Sequence, residues 1–83
     1  GPDGLALDAN GGVLVAHAGL GTVWHFDNLG QPLHRIRSCK GLMTTNLVFG
    51  GPNNDVLFIT ESETGNILKA QLPVKGAKMQ SSL

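Results

Sequence analysis

Apolar and polar residues alternate along this chain in short runs with a period of two. Leu5-Ala6-Leu7, Val13-Leu14-Val15-Ala16 and Thr22-Val23-Trp24-His25-Phe26 read as strands, and Leu33-His34-Arg35-Ile36-Arg37 reads as a fourth, more polar one. The segments between them carry the residues that reverse a chain: Asp8-Ala9-Asn10-Gly11-Gly12, Gly19-Leu20-Gly21 and Asp27-Asn28-Leu29-Gly30. Glycine supplies the positive φ of tight hairpins, and Asn or Asp tolerates it. Short strands separated by such turns predict an antiparallel β meander.

The pattern then recurs. Leu47 follows Leu5 by 42 positions, Val56 follows Val13 by 43, and Ile67 follows Val23 by 44. A period of about 40–45 residues with four strands per unit is the signature of a propeller blade. The expected fold is therefore all-β, a β-propeller piece of two four-stranded antiparallel blades. The first blade is expected over 1–42, an incomplete second over 43–72, and a tail over 73–83 that frays from Ala77 onward. Arg35 and Arg37 suit an outer edge strand, where charge discourages edge-to-edge association.

Composition narrows the function classes. Six basic and six acidic residues leave a formal net charge of zero in 83 residues, so no electrostatic footprint for nucleic acid or an anionic membrane is expected. No apolar run approaches the roughly 18–20 residues of a membrane helix. No basic-then-apolar leader pattern opens the chain, and the expected location is cytoplasmic. Cys39 is the single cysteine, which rules out an intramolecular disulfide. The chain opens on Gly1 without an initiator Met, as a trimmed chain would. Two blades cannot close a ring, so the expected partners are other blades in cis or copies of the chain in trans; three copies would supply six blades.

Four segments carry a resemblance. Pro2-Asp3-Gly4-Leu5-Ala6-Leu7-Asp8-Ala9-Asn10-Gly11 resembles the PDG-x-x-x-D-x-x-G segment of the regucalcin/gluconolactonase family. Thr44-Thr45-Asn46-Leu47-Val48-Phe49-Gly50-Gly51 is similar to that family's TN-x-x-FGG segment, and Leu57-Phe58-Ile59-Thr60-Glu61 resembles the strand after it. Leu33–Arg37 and Phe58–Glu61 also resemble diisopropyl fluorophosphatases. The resemblance covers the chain to about Leu72 and implies the C-terminal part of a six-bladed, calcium-dependent hydrolase of lactones or related esters. It implies a divalent cation on the axis, calcium first, with zinc, magnesium or manganese as alternatives. In this family the ion is held by a Glu of the first blade, one or two Asn of middle blades and the Asp of PDG; only the last has a counterpart here, Asp3. The same comparison makes Asp3 the catalytic acid/base, and puts His17, Ala18, Thr45, Asn46 and Ser62 on the substrate pocket. Ala18, Ser62 and Val48 depart from the fluorophosphatase pattern and favour a lactonase-like pocket.

Simpler readings stand beside these. Asp3 in Pro-Asp-Gly also suits an ordinary turn. Asp8 suits a hairpin cap, and Asn46 suits a bond to local backbone. His17, His25 and His34 fall on or near three successive strands, yet their spacing matches no zinc signature, and packed or partly solvated strand residues are expected. Cys39 beside Lys40 lacks a placed histidine base. Trp24 and Phe26 share a face and are expected to pack between sheets. Glu61 and Glu63 around Ser62 read as a solvated turn. Two further functions compete: a non-catalytic two-blade unit that self-assembles, and a propeller-type protein-binding module.

Overall fold

A computed structural model describes residues 2–38 and 41–77, with the backbone alone at Pro2 and Asp3. Cys39, Lys40 and the last six positions of the expected tail lie outside the described residues. The chain is all-β. Strands β1 (Pro2–Leu7), β2 (Val13–His17), β3 (Thr22–Phe26) and β4 (Pro32–Arg37) form one antiparallel meander in that order. Strands β5 (Thr44–Gly50), β6 (Val56–Glu61) and β7 (Asn66–Gln71) form a second sheet of three strands. Among the described residues no helix is long and apolar enough to cross a membrane.

Local chemistry explains the hairpins. Between β3 and β4 the Asp27 carboxylate accepts the amides of Leu29 and Gln31, both at 2.9 Å. The Gly30 amide donates to Asp27 O at 3.0 Å, and Gly30 takes φ +81°, the left-handed region that a residue with a Cβ enters at a cost. β4 forms the edge of its sheet, with Arg35 and Arg37 exposed.

Register decides which face of each sheet is covered. In the first sheet Ala6, Leu14, His25 and His34 lie across from one another and so share a face; Leu5, Val15, Trp24 and Arg35 share the other. In the second, Leu47, Ile59 and Leu68 share one face, and Val48, Phe58 and Lys69 the other. The sheets meet through the faces of Leu14 and Ile59. Leu14, Val23, Leu57, Ile59 and Leu72 form the buried core, with Ala6, Ile36, Leu47, Phe49, Leu68 and Ala70 packed around it. Each large aliphatic side chain so covered contributes about 1.5–3 kcal/mol.

This register revises the internal repeat. Leu5 pairs with Val15 and Leu47 with Ile59, which sets β1 against β5 at an offset of 42 and β2 against β6 at 44, not 43. Trp24 opposite Val15 and Leu68 opposite Ile59 give 44 for the third strands as well. A one-residue slip turns every side chain to the other face, so Val13 corresponds to Leu57, not Val56. Trp24 and Phe26 do share a face, but it is the outward face of the first sheet, and both are only half-buried.

The stretch after β7 is tied down as far as it is described. Leu72 is buried in the core, the Ala9 amide donates to Lys75 O at 2.7 Å, and the Ala77 amide donates to Leu7 O at 2.9 Å. Gly76 pairs with Asp8 as an isolated bridge, and its amide donates to Asn54 O at 2.8 Å. These residues bridge the first hairpin turn of one sheet to that of the other.

Candidate functional site

The family-like motifs converge on one rim. β1 and β5 lie side by side, and Gly4 makes the approach possible: a Cβ there would collide with the Thr45 carbonyl and sit 2.9 Å from Asn46 Cα. Each strand carries a β-bulge at the same point. In β1 the pairing steps from Pro2–His17 to Gly4–Ala16, leaving Asp3 unpaired; in β5 it steps from Thr44–Glu61 to Asn46–Thr60, leaving Thr45 unpaired. Asp3 and Thr45 are thus equivalent positions of the two sheets. Bulges re-aim a side chain and are frequent beside active sites.

The other candidate positions gather at the same end. His17, half-buried, closes β2 opposite Pro2, and its carbonyl accepts the Thr44 hydroxyl at 3.2 Å. Ala18 begins the turn after it. Thr45 is half-buried, its hydroxyl 3.4 Å from Thr60 O. Ser62 is exposed, and its amide donates to Met43 O at 2.9 Å. The Leu42 carbonyl accepts the amides of Gly19 and Gly21 at 2.9 and 2.8 Å, which clamps the β2–β3 turn to the entry of β5. Asn46 diverges from this cluster: it is exposed and lines a depression of about 280 Å³ with Val48, Phe58, Thr60 and Ile67 on the outward face of the second sheet. The Asp3 side chain lies outside the described set.

Glu61 was expected in a solvated turn and is instead fully buried. Its carboxylate accepts the amides of Met43 (2.9 Å), Glu63 (3.1 Å) and Thr64 (2.8 Å) and the Thr64 hydroxyl. Burial pushes this carboxyl up, but the Thr64 hydroxyl and the three amides outweigh it and hold it below its ordinary value. A carboxylate so fully occupied organises the β5 entry and the β6–β7 turn. Continuing the alternation Leu57, Ile59, Glu61 would have placed it on the covered face.

A second polar cluster, unforeseen as a unit, lies at the opposite end of β1 from Asp3. Asp8 caps the first hairpin as expected, accepting the amides of Asn10 (2.9 Å) and Gly12 (2.7 Å). Its other oxygen pairs with His25 Nε2 at 2.7 Å, both side chains being buried. His25 Nδ1 faces His34 Nδ1 at 3.1 Å, with the rings stacked at 5.3 Å between centroids. At the facing Nδ1 atoms one ring must present an N–H and the other a lone pair. Burial pushes the Asp8 carboxyl up, but His25, Gly12 and Asn10 together hold it below its ordinary value. His17 stands apart from this chain of groups.

The described residues do not complete a cation site. Among them, no three His, Cys, Asp or Glu side chains converge so as to hold a metal. Asp3 by itself falls well short of the six to eight oxygens calcium takes.

The SMP-30/Gluconolactonase/LRE-like region family matches residues 1–63, through both bulges and both first hairpins. The chain belongs to this family. An uncharacterized protein of Sulfolobus acidocaldarius is 31% identical over 81 residues, covering 93% of this chain and 30% of that protein. The chain thus spans under a third of the length of the curated relative it matches. Family membership and the two packed antiparallel sheets together establish a gluconolactonase-like propeller architecture.

Proposed function

We propose that these two blades form part of a lactonase-type hydrolase acting on lactones or related esters. The observation that carries this reading is the pairing of bulges at Asp3 and Thr45, side by side on the rim of a chain of the SMP-30/gluconolactonase family. In this reading Asp3 supplies one oxygen to a divalent cation, calcium in the first instance, whose other ligands lie on blades outside this chain. The Asp3 carboxylate also takes up or returns a proton at the ester being cleaved. His17, Ala18, Thr45 and Ser62 form the wall that receives the substrate, Asn46 standing outside it, and the partner is a small lactone or ester.

The experiment is a calcium titration by calorimetry, run beside hydrolysis of a panel of γ- and δ-lactones and aryl esters, on the complete propeller that contains these two blades and on its Asp3→Asn variant. The expected result is binding and turnover in the parent and a loss of tenfold or more of both in the variant. Turnover and affinity unchanged by Asp3→Asn, or no turnover in the parent, would overturn the reading.

A further inference from the structure

The first hairpin turn holds two residues whose chemistry the Asp8 cap leaves unused. Asn10 and Gly11 stand next to one another at the tip of the turn between β1 and β2, and both are exposed. Blades pack through their sheet faces, whereas this tip lies beyond the strand ends. Asn28, Asn46, Asn53, Asn54 and Asn66 precede Leu, Leu, Asn, Asp and Ile; Asn10 alone precedes a glycine.

The turn favours reaction between the two. Among the described residues nothing hydrogen-bonds the Asn10 side-chain amide, so its Cγ is free to turn toward the following nitrogen. The Gly11 amide donates only to Asp8 O, at 3.3 Å, longer than an ordinary N–H···O bond. Gly11 also lacks the Cβ that would crowd an approach to its nitrogen. Attack from the adjacent residue is intramolecular, which removes the entropic cost of an encounter.

We propose that Asn10–Gly11 is a self-modification site at which the asparagine converts to aspartate and isoaspartate. The Gly11 nitrogen gives its proton to water and bonds to Asn10 Cγ. The bond from Cγ to the side-chain nitrogen breaks, and ammonia leaves with a proton returned from water. Water then opens the resulting succinimide. Opening at Cγ leaves aspartate; opening at the main-chain carbonyl leaves isoaspartate, whose chain path runs through Cγ and gains one carbon.

The consequence falls on Asp8. One Asp8 oxygen accepts the amides of Asn10 and Gly12, at 2.9 and 2.7 Å, and so spans the altered residue. Aspartate leaves both amides in place. Isoaspartate lengthens the path to Gly12, which has no room to follow, since a Cβ there would already meet the Asp8 carboxylate and Phe26 O. The Gly12 amide loses its acceptor, and the carboxylate that orients His25 loses part of its cap. The proposal is independent of the hydrolase reading, because both reactants belong to the turn.

The test is incubation of the complete propeller that contains these blades, and of its Asn10→Gln variant, in mildly alkaline buffer at physiological temperature. Peptide mapping with electron-transfer fragmentation distinguishes the two products. Both are expected at Asn10, accumulating about tenfold faster or more than conversion at any other asparagine, and conversion at this position is expected to be slower by a similar factor in Asn10→Gln. Amide exchange at Gly12 is expected to quicken in the isoaspartate fraction and to stay near the parent's in Asn10→Asp. Conversion at Asn10 no faster than at Asn28 or Asn66 overturns the proposal. Gly12 exchange unchanged in the isoaspartate fraction overturns its link to Asp8. Should Asn10→Gln fail to fold by circular dichroism, the comparison among asparagines of the parent decides alone.

Discussion

Asp8 and His25 meet at 2.7 Å in the interior, joining the first hairpin turn to the third strand of the same blade. The two are 17 residues apart in the chain, and neither has an alternative partner in water once the sheets have closed. Removing one member leaves the facing atom of the other, His25 Nε2 or one Asp8 oxygen, buried without its partner, which costs more than the pair contributes. Asp8→Ala is therefore expected to destabilise the fold by about 2–4 kcal/mol, because it also frees the amides of Asn10 and Gly12. Asp8→Asn keeps an acceptor oxygen and is expected to cost less. Urea unfolding followed by tryptophan fluorescence measures both, and Trp24 is the only reporter needed.

Acid should weaken the fold through two carboxyls. Asp8 and Glu61 are both held below their ordinary values in the folded protein. Unfolded, they titrate at about 3.9 and 4.3, so in acid the unfolded chain binds the more protons. The stability they supply is present above about pH 5 and is lost as pH falls through the lowered folded values. The urea midpoint is expected to fall steeply below that pH. The double variant Asp8→Asn, Glu61→Gln should start lower and fall less; an equally steep fall would place the acid sensitivity elsewhere.

Glu61 organises amides from both sides of its turn, and hydrogen exchange can read this directly. In Glu61→Gln one oxygen becomes a donor, so the amides of Met43, Glu63 and Thr64 cannot all keep an acceptor. Their exchange is expected to quicken at least tenfold relative to core amides such as Leu14. Gly41→Ala should act on the same spot, since a Cβ there would run into the Glu61 carboxylate.

Gly4 holds the two bulges together. A methyl group at this position would meet the backbone of Thr45 and Asn46, which cannot yield as a side-chain end would. Gly4→Ala is expected to cost about 1–3 kcal/mol through overpacking. It should also push β1 and β5 apart at the rim, so a loss of any lactone turnover larger than the loss of folded protein is expected from this variant.

Much of this architecture was legible in local sequence. Period-two alternation and Asx/Gly turns depend only on neighbouring residues, so the seven strands and their hairpins could be read one at a time. Pro2-Asp3-Gly4 and Thr44-Thr45-Asn46 carried the family for the same reason. The run Val56-Leu57-Phe58-Ile59 concealed its register, because four consecutive apolar residues fit either face and only pairing with Leu47 and Leu68 selects one. Tertiary structure alone buried Glu61, linked Asp8 to His25 and His34, and drew Lys75, Gly76 and Ala77 back across both blades. These arrangements bring together groups distant along the chain, and a polar group's partner is set by which strands lie beside it once water has been excluded.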